Sequence, residues 1–344
     1  MFNLTLQSII YITAPPCYAS GGPELLHQLC HTLRKLGFNC MMYYFDESNP
    51  SNINKSPTPN RFLHYNTSYV TEINDCIENL LIVPETITSP LKSYANIQKC
   101  VWWLGANNYF WFKEISNSNY ILPTMHHWIE YILGYHTPLT FRQMNKYSSY
   151  NLGQCWYTVS FLQHKGLHNV AYLSDYINED FILFSQNTSH TNKNNIILYN
   201  PSRNKRFVRL LKKNAPLLQF VPIQNMTSEE VRDLMSSAKL YIDFGAHPGK
   251  DRMPREAALC GCCIMTSTLG SADFYDDVPI PSEFKFERKF KNVNAILRKI
   301  YDVLDNFENE RSKFDNYRNI IKQEQAHFLI DVKKLFQCTG GYDQ

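Results

Sequence analysis

Residues 241–264 read YIDFGAHPGKDRMPREAALCGCCI and contain the pattern of strand, loop, helix and strand from which the fold class follows. The apolar start of this stretch is typical of a buried strand ending at Gly245, and Pro254 suits the opening of a helix. The loop between them joins the carboxyl end of a strand to the amino end of a helix, where backbone N–H groups and the helix dipole favour an anion. Three cations add to this tendency: Lys250, Arg252 and Arg255. The stretch therefore predicts a phosphate or diphosphate site.

Strand and helix patterns alternate on both sides of this stretch. In the second half of the chain, strands are predicted at 196–199, 218–222, 240–244 and 263–266, with helical patterns between them. Strand, helix and strand in alternation are typical of a parallel sheet with helices on both faces.

The first half of the chain repeats the pattern. An apolar strand is predicted at 8–14, Pro23 is expected to open a helix that reaches Leu36, and a second strand follows at 38–45. The predicted fold class is α/β, with two Rossmann-like doubly wound domains facing across a cleft. Ligands of such sheets bind outside the carboxyl ends of the strands.

The 344 residues are expected to divide into three parts. The first domain covers 1–180, the second covers 196–315, and 316–344 form a C-terminal helix for which packing back on the first domain is one arrangement. The polar stretch 175–195 is expected to be the linker.

Composition excludes several classes of protein. The apolar fraction of 44% excludes global disorder, and a net charge of only +3 argues against a dedicated nucleic-acid binder. No uncharged apolar run is long enough for a transmembrane helix, and the start lacks the basic region of a signal peptide. We therefore expect a cytoplasmic protein, with association at the inner face of the membrane as an alternative.

The ten cysteines are expected to be reduced thiols. The cluster Cys260, Cys262 and Cys263 lacks the paired spacing of a zinc site, so small buried residues at a helix-to-strand junction are favoured over a metal centre. No Asp-x-Asp triplet is present, and no metal site is predicted.

The stretch around Glu256 resembles the donor-binding loop of retaining GT-B glycosyltransferases with a Glu-x7-Glu motif, and more narrowly a bacterial polysaccharide-cluster subfamily. Glu256 takes the position of the second Glu, which the resemblance implies holds the ribose of the nucleotide. The first Glu falls on Pro248 and is missing, so His247 or Asp251 is expected to replace its contact to the donor sugar.

Two further segments extend the resemblance. The run NPSRNKR at 200–206 corresponds to the family loop whose basic residues bind the donor diphosphate, which makes Arg203, Lys205 and Arg206 candidates. Gly21 and Gly22 follow the first strand, where the family has a glycine loop, although a plain turn explains them nearly as well. The implied donor-binding set is Gly21, Gly22, Arg203, Lys205, His247, Gly249, Lys250, Arg252, Arg255, Glu256 and Ser271. The candidate catalytic residues are His247, Lys250, Arg203 and His127.

The first half offers weaker candidates for an acceptor site. His126 and His127 and an aromatic run could face an acceptor sugar, but single Trp and Tyr residues more often fill a core. The aromatic residues in question are Trp102, Trp103, Tyr109 and Trp111. Glu85 follows a predicted strand end and is a similar candidate.

The resemblance implies a glycosyltransferase that moves a sugar from a UDP-, GDP- or CMP-sugar to a glycan or lipid-linked acceptor. The implied setting is bacterial surface polysaccharide synthesis, either lipopolysaccharide or capsule. The implied reaction retains the anomeric configuration and needs neither metal nor cofactor, because cations and a helix terminus stabilise the leaving diphosphate. Two alternatives remain open: a nucleotide-sugar epimerase of the same fold, and a non-catalytic nucleotide-sugar-binding or scaffold protein.

Overall fold

The computed structural model describes residues 2–46, 57–111, 139–187, 193–203 and 205–338. The chain forms two compact units. The first comprises Met1–Asp175 together with Ala326–Gln344, and the second comprises Tyr176–Gln325.

The first unit contains a seven-stranded sheet in which all described pairings are parallel. The strand order is β3-β2-β1-β4-β5-β6-β7. The strands are β1 (Ile9–Ala14), β2 (Asn39–Tyr44), β3 (Tyr69–Val70), β4 (Leu80–Pro84), β5 (Gln98–Trp103), β6 (Tyr150–Gly153) and β7 (Val170–Tyr172). β1 and β4 are apolar along nearly their whole length, as expected of strands covered on both faces.

Five helices connect these strands among the described residues of the first unit. They are α1 (Gly21–Lys35), α2 (Pro90–Ser93), α3 (Asn108–Trp111), α4 (Phe141–Tyr147) and α5 (Trp156–His164). The expected start of α1 at Pro23 is wrong by two residues. Ser20 is the extended N-cap residue, so Gly21 and Gly22 already lie in the first turn.

The second unit has a five-stranded parallel sheet of order β12-β11-β10-β8-β9. Its strands are β8 (Asn194–Tyr199), β9 (Gln219–Pro222), β10 (Ala238–Asp243), β11 (Cys263–Ser267) and β12 (Lys285–Phe286). Because β8 and β10 are neighbours, the loops that follow them emerge side by side at the carboxyl edge of the sheet.

The helices of the second unit follow the predicted alternation. They are α6 (Glu179–Asn187), α7 (Lys205–Asn214), α8 (Ser228–Ser237), α9 (Arg252–Leu259), α10 (Val293–Asp305), α11 (Phe307–Ser312) and α12 (Asp315–Leu335). A reciprocal capping box between Thr227 and Glu230 opens α8. α12 begins in the second unit and continues into the first at Ala326.

The expectation of an irregular linker over 175–195 is wrong in its central part. Residues 179–187 form α6, and Phe181 is buried in the hydrophobic core of the second unit. The side chains of Phe181, Ile182 and Phe184 form the apolar face that packs against this core, inside a stretch that is otherwise polar in sequence.

The aromatic run of the first half is largely core. Trp102 and Trp103 are fully buried, and their indole N–H groups donate to the Leu173 carbonyl and the Asn151 side chain. Tyr109 is also buried and donates to the Leu139 carbonyl. These three residues therefore do not face an acceptor. His126 and His127 lie outside the described residues, as does the side chain of Trp111.

The three clustered cysteines, Cys260, Cys262 and Cys263, are buried free thiols at the junction of α9 and β11. No helix among the described residues has the length and apolarity required to cross a membrane.

Candidate functional site

The candidate site is built where the loops after β8 and β10 meet. Gly245 permits this approach, because a Cβ atom there would lie 3.0 Å from Cδ of Arg203 and 2.8 Å from Oδ1 of Asp243. A residue with a side chain would push Arg203 away. Two sequence-predicted segments, 200–206 and 241–264, are thus brought into direct contact.

Arg203 is held by Asp251 in a two-point ion pair. Its Nη1 and Nη2 atoms lie 2.6 and 2.7 Å from the two carboxylate oxygens of Asp251. Burial opposes ionisation of Asp251, but the charge of Arg203 and the hydrogen bond from His247 outweigh it and hold its pKa well below the usual range. The pair fixes the guanidinium in one orientation, and the Arg203 side chain stays partly exposed.

His247 is buried, and both ring nitrogens face acceptors. Nδ1 lies 2.7 Å from Oδ2 of Asp251, and Nε2 lies 3.1 Å from the Asp243 carbonyl oxygen. Each nitrogen must carry a hydrogen to satisfy its acceptor, so the geometry describes an imidazolium. Burial opposes that charge, but Asp243 and Asp251 outweigh it and raise the pKa of His247. His247 is therefore a positioning group in this structure, and neither ring nitrogen is placed to contact a sugar.

Asp243, His247 and Asp251 also bring potential metal ligands together, with ligand atoms within 4.8 Å of one another. The arrangement does not fit a metal ion. A metal requires an unprotonated imidazole nitrogen and an open carboxylate, whereas here the imidazole faces acceptors and the Arg203 guanidinium covers both oxygens of Asp251.

Helix α9 presents its amino terminus at the same loop. Asp251 is the N-cap residue, yet its side chain makes no capping hydrogen bond, because it is committed to Arg203 and His247. The Asp251 side chain therefore does not cap the first-turn N–H groups of α9. The negative charge of Asp251 is neutralised by Arg203 and His247. This arrangement suits an anion at the helix terminus.

Lys250 and Arg255 both form ion pairs with Glu324, which was not among the predicted site residues. Both bind Glu324 on α12, with Lys250 Nζ and Arg255 Nη1 each 2.7 Å from one of its carboxylate oxygens. Arg255 is fully buried. Its predicted contact to a phosphate is therefore not supported, since no part of the guanidinium is exposed.

Glu256 and Arg252 lie at the rim of the same loop. Arg252 Nε is 3.5 Å from Oε1 of Glu256, and each side chain keeps a small exposed fraction. Glu256 is the fifth residue of α9 and lies just past its first turn, beside a cation and within reach of solvent, as a residue that contacts a ligand hydroxyl would.

Gly249 and Ser271 shape the loop. The buried Ser271 donates its hydroxyl to the Gly249 carbonyl at 2.6 Å and its N–H to the His247 carbonyl at 3.0 Å. The neighbouring Gly270 has φ +61°, and a Cβ atom there would lie 2.1 Å from the His247 carbonyl oxygen. Ser271 is therefore engaged in holding the loop, and Gly270 is a requirement that the sequence analysis missed.

The other predicted site residues lie at the edge of this loop region or outside the second unit. Lys205 is the exposed first residue of α7, two positions after Arg203, and Arg206 beside it is also exposed. Gly21 and Gly22 open α1 in the first unit, where a Cβ atom on Gly22 would make only an ordinary contact at 3.5 Å with Leu104. His127 lies outside the described residues.

Glu85 is a buried carboxylate in the first unit. It accepts hydrogen bonds from the N–H groups of Leu104 and Gly105 and from Asn108, at 2.8, 3.1 and 3.2 Å. Burial raises the pKa of Glu85 to about 7, against the effect of these hydrogen bonds. Glu85 thus holds the loop after β5 against the end of β4.

The charges of the second-unit site are nearly balanced. Four carboxylates lie among five cations: Asp243, Asp251, Glu256 and Glu324 among Arg203, the His247 imidazolium, Lys250, Arg252 and Arg255. The formal excess of these paired groups is one positive charge, and the exposed Lys205 and Arg206 add two more at the edge. The net positive charge favours an anion such as a diphosphate.

Comparison with known proteins agrees with the fold of the two units. No family model matches the chain. The sucrose-phosphate synthase of Thermosynechococcus elongatus is similar over 96% of this chain and 98% of its own, with a TM-score of 0.61 and 13% identity. HepE of Anabaena, in complex with UDP and glucose, is similar over 95% and 97%, with a TM-score of 0.60 and 9% identity. The fold is GT-B.

A third structure, an alpha-glucosyltransferase in complex with UDP, is similar over 94% of this chain and 95% of its own, with a TM-score of 0.53 and 10% identity. At such low identities these likenesses concern the fold alone. In sequence, an alpha-1,6-glucosyltransferase of Actinobacillus pleuropneumoniae serotype 7 (strain AP76) is 28% identical over 130 residues. That match covers 37% of this chain and only 39% of the relative.

Proposed function

We propose that this protein is a glycosyltransferase that transfers a sugar from a nucleotide-sugar donor, with UDP-glucose as the first candidate. The observation that carries the proposal is the set of cations around the amino terminus of α9, at the carboxyl edge of a Rossmann-like sheet. The GT-B fold, the UDP complexes of two structural neighbours and the partial match to a glucosyltransferase support the same assignment.

In this proposal, the residues of the second unit bind the donor. Arg203, Lys205 and the first turn of α9 hold the diphosphate, and Glu256 accepts hydrogen bonds from the ribose hydroxyls. Lys250 and Arg252 contribute positive charge nearby. His247 and Asp251 fix Arg203 and keep the loop in shape.

The reaction needs charge stabilisation more than a protein nucleophile. Breaking the bond between sugar and diphosphate places negative charge on the leaving group, and fixed cations with a helix terminus stabilise it without a metal ion. We propose retention at the anomeric carbon, with the leaving phosphate accepting the proton of the acceptor hydroxyl. The first unit is proposed to bind the acceptor.

The proposed setting is the synthesis of a bacterial surface polysaccharide, on a glycan or lipid-linked acceptor. The partial match to an alpha-1,6-glucosyltransferase of a bacterium supports it. Association with the inner face of a membrane remains part of the proposal, because lipid-linked acceptors lie there.

The test compares two exposed lysines of the same helix. Lys205, at the start of α7, is proposed to contact the diphosphate, whereas Lys213, at its end, is not. Neither change disturbs a buried contact. We expect Lys205→Ala to lower kcat/KM for UDP-glucose by about tenfold or more, and Lys213→Ala to leave it unchanged.

Turnover is followed as UDP release, with and without a panel of glycan acceptors, in buffer containing EDTA. Activity in EDTA and an α-linked product, identified by NMR, are the expected results. Conversion of UDP-glucose into another free nucleotide sugar would instead support the epimerase. Nucleotide binding without any turnover would support a non-catalytic role.

A further inference from the structure

Glu324 connects the candidate donor loop to helix α12. Its carboxylate is buried and lies between two cations of the loop, with Lys250 Nζ and Arg255 Nη1 both at 2.7 Å. Glu324 follows Lys250 by 74 positions in the sequence and belongs to neither Rossmann-like strand–helix motif of the site. It is a long-range contact that fixes one end of the loop.

Arg255 extends this contact into the loop backbone. Its Nη2 donates to the Lys250 carbonyl at 2.8 Å, and its Nε donates to the Asp251 carbonyl at 3.2 Å. Glu324 thus orients a guanidinium that holds two successive carbonyl groups. The side chain of Asp251 in turn holds Arg203, so the contacts run without interruption from α12 to the proposed diphosphate ligand.

Electrostatic attraction of a diphosphate to the candidate loop does not explain why the Glu324 carboxylate lies beside that loop. A negative charge beside an anion site weakens its attraction for a diphosphate. The benefit of Glu324 must therefore come from geometry. A buried lysine without its partner would change rotamer to reach water, and Arg255 would lose the group that sets its orientation.

We propose that Glu324 is a positioning residue for the donor diphosphate, which orders Lys250 directly and the Lys250–Asp251 backbone through Arg255. This inference rests on the proposed function, because it assumes that the loop binds a nucleotide-sugar diphosphate. Glu324 does not contact the substrate; it acts through the residues that do.

The test uses Glu324→Gln in the full chain, with Glu310→Gln as a matched control. Glu310 is also a buried glutamate of the second unit, and it also joins two cations, Lys299 and Lys313. Both variants lose a buried carboxylate with two partners, so a general loss of stability affects them alike. Only Glu324→Gln alters the candidate loop.

Two readouts are measured. The first is the Kd for UDP and for UDP-glucose, by titration calorimetry, at two salt concentrations. The second needs no nucleotide: the rate at which an amine-acetylating reagent modifies Lys250, followed by mass spectrometry. Glu310→Gln serves as a positive control for the second, because it should expose Lys299 and Lys313.

We expect Glu324→Gln to raise the Kd values for UDP and UDP-glucose by about tenfold and to speed the modification of Lys250. Glu310→Gln should change neither these Kd values nor the modification rate of Lys250. An unchanged or lower Kd in Glu324→Gln would overturn the inference, since it would mean that the carboxylate acts only as a charge. An unchanged modification rate of Lys250 would overturn it as well.

Failure of the proposed function has a different signature. If the unaltered protein binds neither UDP nor UDP-glucose, the donor assignment is wrong, and the diphosphate role of Glu324 falls with it. The modification rate of Lys250 would still decide whether Glu324 orders the loop.

Discussion

Gly270 constrains the backbone of the loop at 244–251, although it lies outside that loop. Its φ of +61° lies in the left-handed region, and a Cβ atom would lie 2.1 and 2.3 Å from the carbonyl oxygens of His247 and Ala246. Both the backbone conformation and the contact exclude a side chain. The loop residues that hold Arg203 therefore depend on a glycine that lies beyond α9 and β11 in the sequence.

We predict that Gly270→Ala lowers the free energy of unfolding by about 3 kcal/mol or more. Part of this is the cost of a left-handed alanine, about 1–2 kcal/mol, and the rest is displacement of the His247 carbonyl. Gly37→Ala is the control, because Gly37 has φ +88° with nothing within 4 Å of a Cβ atom, so it reports the backbone cost alone. Denaturant unfolding measures both, and equal losses would contradict the steric argument.

At the scale of single residues, the sequence predicted the positions but not all the roles. Arg203, His247 and Glu256 were singled out from a loop pattern, and the structure brings all three to one edge of a sheet. The roles of Arg255 and Ser271 differ from the prediction because each is buried against a partner distant in sequence. The role of His247 differs because its ring is buried between the neighbouring Asp243 and Asp251. Local patterns carry no information on partners distant in sequence.

At the scale of elements, the end of β4 and the loop after β5 are joined by Glu85. This carboxylate satisfies two backbone N–H groups that would otherwise have no strand partner, those of Leu104 and Gly105. Burial places its pKa at about 7, above the ordinary value of 4.5. A group whose pKa is higher in the folded protein stabilises the fold at low pH and loses that contribution as pH rises through the folded value.

We predict that wild type loses stability relative to Glu85→Gln as pH rises from about 4.5 to about 7, because the Gln variant has no proton to release. The change in the difference between their unfolding free energies should be about 3 kcal/mol. Urea unfolding of both proteins at several pH values measures it. A difference that stays constant across this range would show that Glu85 does not titrate there.

The elements themselves were the most predictable part of the molecule. Strands such as β1 and β11 are short apolar runs, and their predicted ranges, 8–14 and 263–266, lie within one residue of the observed bounds. Helix α6 was missed because its apolar residues lie inside a polar stretch, and only packing against the core of the second unit shows why they are helical.

At the scale of the whole molecule, α12 is the element that belongs to both units. Its residues up to Gln325 lie in the second unit, and the helix continues into the first from Ala326. The Glu324 contacts lie immediately before this point. Glu324, the partner of the candidate loop that is most distant in sequence, is therefore supplied by the one described helix that the two units share. No local sequence motif could predict this contact.

The proposed function depends on binding of the sugar donor's nucleotide by the loop at the amino terminus of α9. The most direct measurement is a thermal-shift screen of the full chain against UDP, GDP, CMP, ADP and dTDP and their common sugars, with Glu256→Ala beside it. A nucleotide at 100 times its Kd adds about 2.7 kcal/mol to the free energy of unfolding. We predict a clear rise in Tm with UDP and UDP-glucose that Glu256→Ala removes. No rise with any nucleotide, in a well-folded sample, would contradict the account.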